Sequence, residues 1–173
     1  MGIERFPHST RRGAVMGSGV ADADVRTRHP NDLDPIAPRD SDVRLTLPAR
    51  PENVAVVRHV LGAFAEALEL PAAVAEDMRL AVTEACTNVV RHAYDDRHEP
   101  GPLEVVIRPE GDRLEVIVSD RGRGIGHSPD IAGPGLGLPL IAAIAHSLEI
   151  QHAPTAGSRL AMSFRLGPRM GVA

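Results

Sequence analysis

The sequence predicts an α/β (α+β) two-layer sandwich in which a mixed, mostly antiparallel sheet carries its helices on one face. Three observations carry that expectation. The periodicities read, in order, β-α-α-β-β-α-β-β, without the repeated βα unit that builds a parallel sheet. The later strand candidates fall into two turn-linked pairs, Leu103 to Arg108 with Arg113 to Ser119, and Leu148 to His152 with Ser158 to Leu166. Between the first strand and the first pair, apolar residues recur at helical spacing over two segments separated by Pro71.

Order begins at Val43-Arg44-Leu45-Thr46-Leu47, which alternates as a half-buried strand does and ends at Pro48. Pro51 suits a first helical turn. Val54, Val57, Val60, Leu61, Phe64 and Leu68 then mark one helix to Leu70, and a second runs from Pro71 to about Ala93. The turn-rich stretch 95–102 leads into a hairpin closed at Glu110-Gly111-Asp112. A glycine-rich stretch from Gly122 to Gly137 precedes a third helix, about Leu138 to Ser147, and the last two strands turn at Pro154-Thr155-Ala156-Gly157. Residues 1–40 mix Arg, Asp, Pro, Gly, Ser and His without a period of 2 or 3.6 and are expected to be a flexible tail. The organisation is thus a tail over 1–40, one domain over 41–168, and a short C-terminal tail over 169–173.

A chain of 173 residues has the length for one core and a tail. With 43% hydrophobic but only 2% aromatic residues, that core is aliphatic. A net charge of −4 supplies no positive field for nucleic acid, which is excluded as a direct partner. All 19 basic residues are Arg, so a P-loop lysine, a Schiff-base lysine and a eukaryotic-type kinase lysine are excluded together. Cys86 is the only cysteine, which rules out an intramolecular disulfide and a CxxC metal site and favours a reducing cytoplasm. No apolar run approaches the roughly 20 residues that span a bilayer. Phe6 stands where a myristoylation signal after Gly2 needs Ser or Thr, so no membrane association is expected.

Three segments carry candidate chemistry. Glu84 and Asn88 stand four apart in the second helix and share a face, about 5–6 Å apart at Cβ. A carboxylate accepts a proton, and an amide oxygen beside it ligates Mg²⁺ without adding charge; a solvated polar stripe has the same spacing. Asp120-Arg121-Gly122-Arg123-Gly124-Ile125-Gly126 follows the run-out of a strand. There a carboxylate can take a hydrogen bond from an exocyclic amine while the glycines admit a flat ligand; a simple turn uses the same residues. Gly133-Pro134-Gly135-Leu136-Gly137 runs straight into an apolar helix, whose free N–H groups make an anion site.

In this order E-x-x-x-N, D-x-G-x-G and G-x-G-L-G resemble the N, G1 and G2 boxes of the GHKL ATPases. The wording Val-Thr-Glu-Ala-Cys-Thr-Asn-Val-Val-Arg-His-Ala-Tyr is similar to that of the bacterial anti-sigma-factor serine kinases of the RsbW and SpoIIAB type. The resemblance covers about residues 43–166 and implies the Bergerat ATP-binding fold. It also implies ATP and Mg²⁺ as cofactors, with Asn88 as the Mg²⁺ ligand and Glu84 as the general base. Asp120 would hold the adenine amino group, with Gly122 and Gly124 forming the base pocket and Ile125 also binding the nucleotide. Gly135 and Gly137 would cradle the phosphates, with Gly133 and Leu136 in the same nucleotide-binding loop, and Gly157-Ser158 falls where the family often has Gly-Thr near the adenine. The stretch 126–132 corresponds to a short ATP lid. The implied activity is transfer of the ATP γ-phosphate to a serine or threonine of a STAS-domain antagonist, with a sigma factor as the second partner and homodimerisation as a family trait. One rival reading shares the fold, a histidine-kinase-like ATPase domain or an ATPase acting through conformational change; another, of a different class, is a nucleotide-binding regulator that sequesters a partner without chemistry. Against the first, residues 1–40 offer no helical hairpin bearing a phosphoacceptor histidine.

Other reactive side chains are discounted. Cys86 lies in the apolar part of a helix without a paired histidine and reads as a small hydrophobe. His92 reads as a capping or surface histidine, and His98, His127, His146 and His152 lack metal-ligand spacing. Arg121 and Arg123 read as solvated loop residues.

Overall fold

The computed structural model describes residues 24–28, 36–94, 99–123, 137–153 and 157–166, the first of these as backbone only. Strand β1 is Asp24–Arg28 and β2 is Val43–Pro48. Helices α1 (Pro51–Ala67) and α2 (Ala72–Asn88) follow, the latter extended by a π-helical turn over Val89–Ala93. Strands β3 (Pro102–Glu110) and β4 (Arg113–Asp120) form the expected hairpin. Helix α3 (Gly137–Ile144) then leads to β5 (Ser147–Ala153) and β6 (Gly157–Arg165).

One six-stranded sheet results, in the order β1-β5-β6-β4-β3-β2. Every neighbouring pair is antiparallel except β1 with β5. The period-2 alternation of the hairpins sorts the strands into two faces. Val105 and Ile107 of β3, on the same face as Leu103, align with Val118 and Val116 of β4, and these with Leu160 and Met162 of β6. All of them are buried in the single core shared with Val57 and Leu61 of α1, Met78 and Val82 of α2, and Ile141 of α3. The α+β sandwich expected from the sequence is therefore what forms, with an aliphatic core in which Phe164 and Tyr94 are the buried rings.

Two expectations need correction. The segment 1–40 is not tail throughout, because Asp24–Arg28 forms an edge strand paired in parallel with Ser147–Gln151. Its sequence, Asp-Val-Arg-Thr-Arg, carries one apolar residue and hence no alternation; a strand held by backbone pairing leaves no such signature. The second helix does reach Ala93, but its last five residues are π-helical rather than α-helical. That wider turn is of the kind that collects at functional sites, and it ends beside the loop after β4.

Strands β1 and β2 occupy opposite edges of the sheet. Residues 36–42 are anchored to the side of the sheet away from the helices. Arg108 there binds Asp42 through Nε to Oδ1 at 2.9 Å and Nη2 to Oδ2 at 3.1 Å. Its Nη2 also donates to the Ala37 carbonyl at 2.9 Å, and Arg44 reaches Asp42 at 2.9 Å. The Asp42 side chain is 1% exposed and that of Arg108 is 9%, so this pair is shielded in a way surface pairs are not. Hydrogen bonds from Arg108 hold the Asp42 carboxyl far below the ordinary carboxylate range, against the opposing effect of burial. A carboxyl depressed in the folded state adds stability above its unfolded value, and that stability is lost as pH falls through the folded one. Asp42→Ala is therefore expected to cost roughly 2–3 kcal/mol at neutral pH, below the range for a fully broken buried pair because Arg108 keeps other partners. Urea melts should show that difference shrinking as pH falls below about 4.

Candidate functional site

The first group of side chains assembles where α2 meets α3. Ala81, Val82, Ala85 and Cys86 form the buried stripe of α2, which leaves Glu84 and Asn88 half-buried on an adjoining side. The hydroxyls of Thr83 and Thr87 are turned back onto the carbonyls of Arg79 and Thr83, at 2.6 and 2.7 Å, and do not enter the group. Gly137, the first residue of α3, closes it. A methyl group in place of its hydrogen would lie 3.2 Å from Asn88 Nδ2, 3.5 Å from Asn88 Oδ1 and 3.6 Å from Glu84 Oε2. A carboxylate, an amide oxygen and a helix N-terminus thus share one point. The helix start attracts anions and the amide oxygen suits a hard cation.

The second group lies at the end of β4. Asp120, the last residue of that strand, aligns with Leu103 and so faces the helix side of the sheet. It is 3% exposed. Its carboxylate accepts the Gly122 N–H at 2.8 Å and further hydrogen bonds from the backbone and hydroxyl of Ser158, itself fully buried. Burial pushes the Asp120 carboxyl above the ordinary range, partly offset by these bonds and by His152. A buried carboxylate in such surroundings is a candidate recognition group. Gly157 has φ +96°, and a side chain on it would collide with the Asp120 carbonyl, so its lack of one lets β6 approach the end of β4.

The two groups are joined by the turn that ends α2. The Ala93 carbonyl accepts the Arg123 N–H at 3.0 Å, and the Tyr94 hydroxyl accepts the Arg121 N–H at 2.8 Å while donating to the Pro102 carbonyl at 2.7 Å. Gly122 packs so closely on Ala93 that any Cβ would strike its carbonyl oxygen.

Of the residues picked out in the sequence, Glu84, Asn88 and Gly137 meet at one end, and Asp120, Gly122 and Ser158 at the other. Gly124, Ile125, Gly133, Gly135 and Leu136 lie outside the described residues, as do His98 and His127. Cys86 is buried and its thiol is pushed up to about 12 by burial, as suits a packing residue. His92 is exposed. Arg121 pairs with Glu104 at 2.8 Å on the surface. Sequence reasoning missed Ala93 and Tyr94, which stand in the quoted motif but act through a backbone carbonyl and a hydroxyl whose partners, Arg123, Arg121 and Pro102, lie in other segments. It also set aside His152, which aligns with Ser158 and influences Asp120.

Among the described residues no group of three His, Cys, Asp or Glu side chains could hold a metal. Asn88 Oδ1 beside Glu84 fits Mg²⁺ in another way, since this ion keeps most of its ligands from waters and substrate phosphates and needs one or two from protein. No helix among the described residues is long and apolar enough to cross a membrane.

The family profile described as the histidine kinase-like ATPase domain matches residues 47–164. The serine-protein kinase RsbW of Bacillus mycoides is 33% identical over 125 residues, covering 64% of this chain and 77% of that protein. The serine-protein kinase RsbW of Bacillus pumilus is 34% identical over 125 residues, covering 63% and 77%. Among solved structures, the RsbU and RsbW domains of a Mycobacterium tuberculosis protein align with TM-score 0.59 and 22% identity over 72% of this chain, which spans 32% of that one. The histidine kinase domain of an Erythrobacter litoralis blue-light-activated kinase aligns with TM-score 0.50 and 21% identity over 69% of this chain and 62% of its own. These two likenesses show the shared fold.

Proposed function

We propose that this chain, which belongs to the histidine kinase-like ATPase domain family and within it to the serine-protein kinases of the RsbW type, binds ATP between the two groups of side chains described above. It is an ATP-dependent protein kinase, and its activity is that of an anti-sigma factor. On our reading the adenine amino group donates to Asp120, and the phosphates lie at the start of α3. Mg²⁺ held by Asn88 would supply positive charge against the phosphate oxygens. The observation that supports this most directly is the meeting of Glu84, Asn88 and Gly137 at one point. A base, a metal ligand and an anion-binding helix start are the three elements that phosphoryl transfer asks of a protein.

In the step we propose, Glu84 accepts the proton of a serine or threonine hydroxyl, whose oxygen bonds to the γ-phosphorus as the bond to the β,γ-bridging oxygen breaks and ADP departs. No lysine takes part, in keeping with a chain that has none. The substrate we infer is a STAS-domain antagonist, with a sigma factor as the competing partner. Phosphorylation would release the antagonist and free this protein to capture the sigma factor again. The buried thiol and the absence of other cysteines suit a reducing cytoplasm.

The test is transfer of label from γ-labelled ATP with Mg²⁺ to STAS proteins encoded near this one. Label on a partner serine or threonine is the expected result. Tight ATP binding without transfer to any of them would replace the kinase reading by one of sequestration.

A further inference from the structure

We propose that Tyr94 is a positioning residue for the nucleotide, fixing the distance between the base end and the phosphate end of the site. The inference rests on the ATP reading above and adds to it a residue that makes no contact with ATP in that reading.

Three consecutive amides follow Asp120, and each has its own acceptor. Arg121 N–H donates to the Tyr94 hydroxyl at 2.8 Å, Gly122 N–H to Asp120 Oδ1 at 2.8 Å, and Arg123 N–H to the Ala93 carbonyl at 3.0 Å. Two of the three acceptors belong to the end of the helix that carries Glu84 and Asn88. The loop that orients Asp120 is therefore bonded to the helix on which the phosphate-end groups stand. Tyr94 is held in turn, since its hydroxyl donates to the Pro102 carbonyl at 2.7 Å and its ring lies so close on Gly101 that a Cβ there would strike it. With the residue only 7% exposed, water is poorly placed to substitute for the hydroxyl. One oxygen thus serves as acceptor for the base loop and donor to β3, and its own position is set by the π-helical turn that follows Asn88.

ATP engages both ends at once, whereas adenosine engages only the base end. If the tyrosine hydroxyl sets their separation, its loss penalises the ligand that spans both. Tyr94→Phe keeps the ring packing and removes the two hydrogen bonds. ATP affinity, measured calorimetrically with Mg²⁺, is expected to fall about tenfold, the scale of a lost hydrogen bond. Adenosine affinity, measured by ligand-observed NMR, should fall less than about threefold, because one end alone needs no fixed separation. The Arg121 amide should exchange with solvent much faster in the variant and be partly protected again by ATP.

Equal weakening of ATP and adenosine would overturn the proposal, as would a lowered Tm with ATP affinity unchanged, which is what a merely structural tyrosine produces. Failure of the unaltered protein to bind ATP would instead remove the nucleotide reading. Loss of ATP binding in Asp120→Asn with Tyr94→Phe indistinguishable from the unaltered protein would keep that reading and remove only the positioning role.

Discussion

Glu84→Ala is expected to lower the rate of phosphoryl transfer to a protein substrate by about 10²–10⁴-fold, the usual contribution of a positioned general base. ATP binding should survive, because the contacts we assign to adenine and phosphate are made by Asp120, Asn88 and the start of α3. The half-buried position of Glu84 supports this separation, since removing a side chain that still reaches solvent leaves no large cavity. Single-turnover transfer of label, with calorimetric ATP binding alongside, measures both quantities. A variant that binds ATP and transfers phosphate at the original rate would sink the assignment of Glu84 as base. Glu84→Gln sharpens the result, because it keeps the size of the side chain and one acceptor oxygen while removing the charge and the ability to take a proton.

The second large effect is expected at Asp120. Its carboxylate already accepts from Gly122 and Ser158 and, on our reading, must accept from the adenine amine as well. Asparagine offers one acceptor oxygen where aspartate has two, so in Asp120→Asn at least one of these contacts is lost. Replacing a charged acceptor costs about 1.5–3 kcal/mol, so ATP affinity should fall roughly 10- to 150-fold. Stability should move differently. Burial raises the Asp120 carboxyl in the folded protein, so the stability it confers is complete below its unfolded value and is lost as pH rises through the folded one. Relative to the original protein, Asp120→Asn should therefore gain in Tm as pH increases from about 4 toward neutrality. Thermal melts without nucleotide check this. A Tm of Asp120→Asn that falls relative to the original protein over that pH range would contradict the raised carboxyl.

Asp120 and Asp42 show why two buried carboxylates in one domain behave oppositely. Asp42 meets a guanidinium whose hydrogen bonds outweigh the cost of burial, and its charge supports folding. Among the described residues, the groups that favour the Asp120 charge are the neutral donors of Gly122 and Ser158 and, more weakly, His152, and burial outweighs them. A binding site asks for the second arrangement, since a group already satisfied by an arginine has little to offer a ligand.

Much of this was legible in the residues. Alternation at Val43 to Leu47 and across both hairpins announced the sheet, because half-buried strands must repeat every two residues. Glu84 and Asn88 were legible as a pair because helical geometry sets i and i+4 side by side, and Asp120 because D-x-G-x-G falls in order between E-x-x-x-N and G-x-G-L-G, although a simple turn uses the same residues. The edge strand Asp24–Arg28 left no such trace, since its place depends on an open backbone edge at Ser147–Gln151 far along the chain.

The sequence by itself determined the order of the elements, the aliphatic core and the chemical types at each end of the candidate site, for these follow from local periodicity and from side-chain chemistry. Tertiary structure decided which of those residues meet. Gly137 comes against Asn88 because α2 and α3 pack together, Ser158 reaches Asp120 because Gly157 allows β6 to close on β4, and Arg108 meets Asp42 across 66 positions. It also gave Tyr94 its place between helix and loop. The physical reason is common to all four: each contact joins segments distant in sequence, and only the burial of a shared core sets the angle and separation at which they meet.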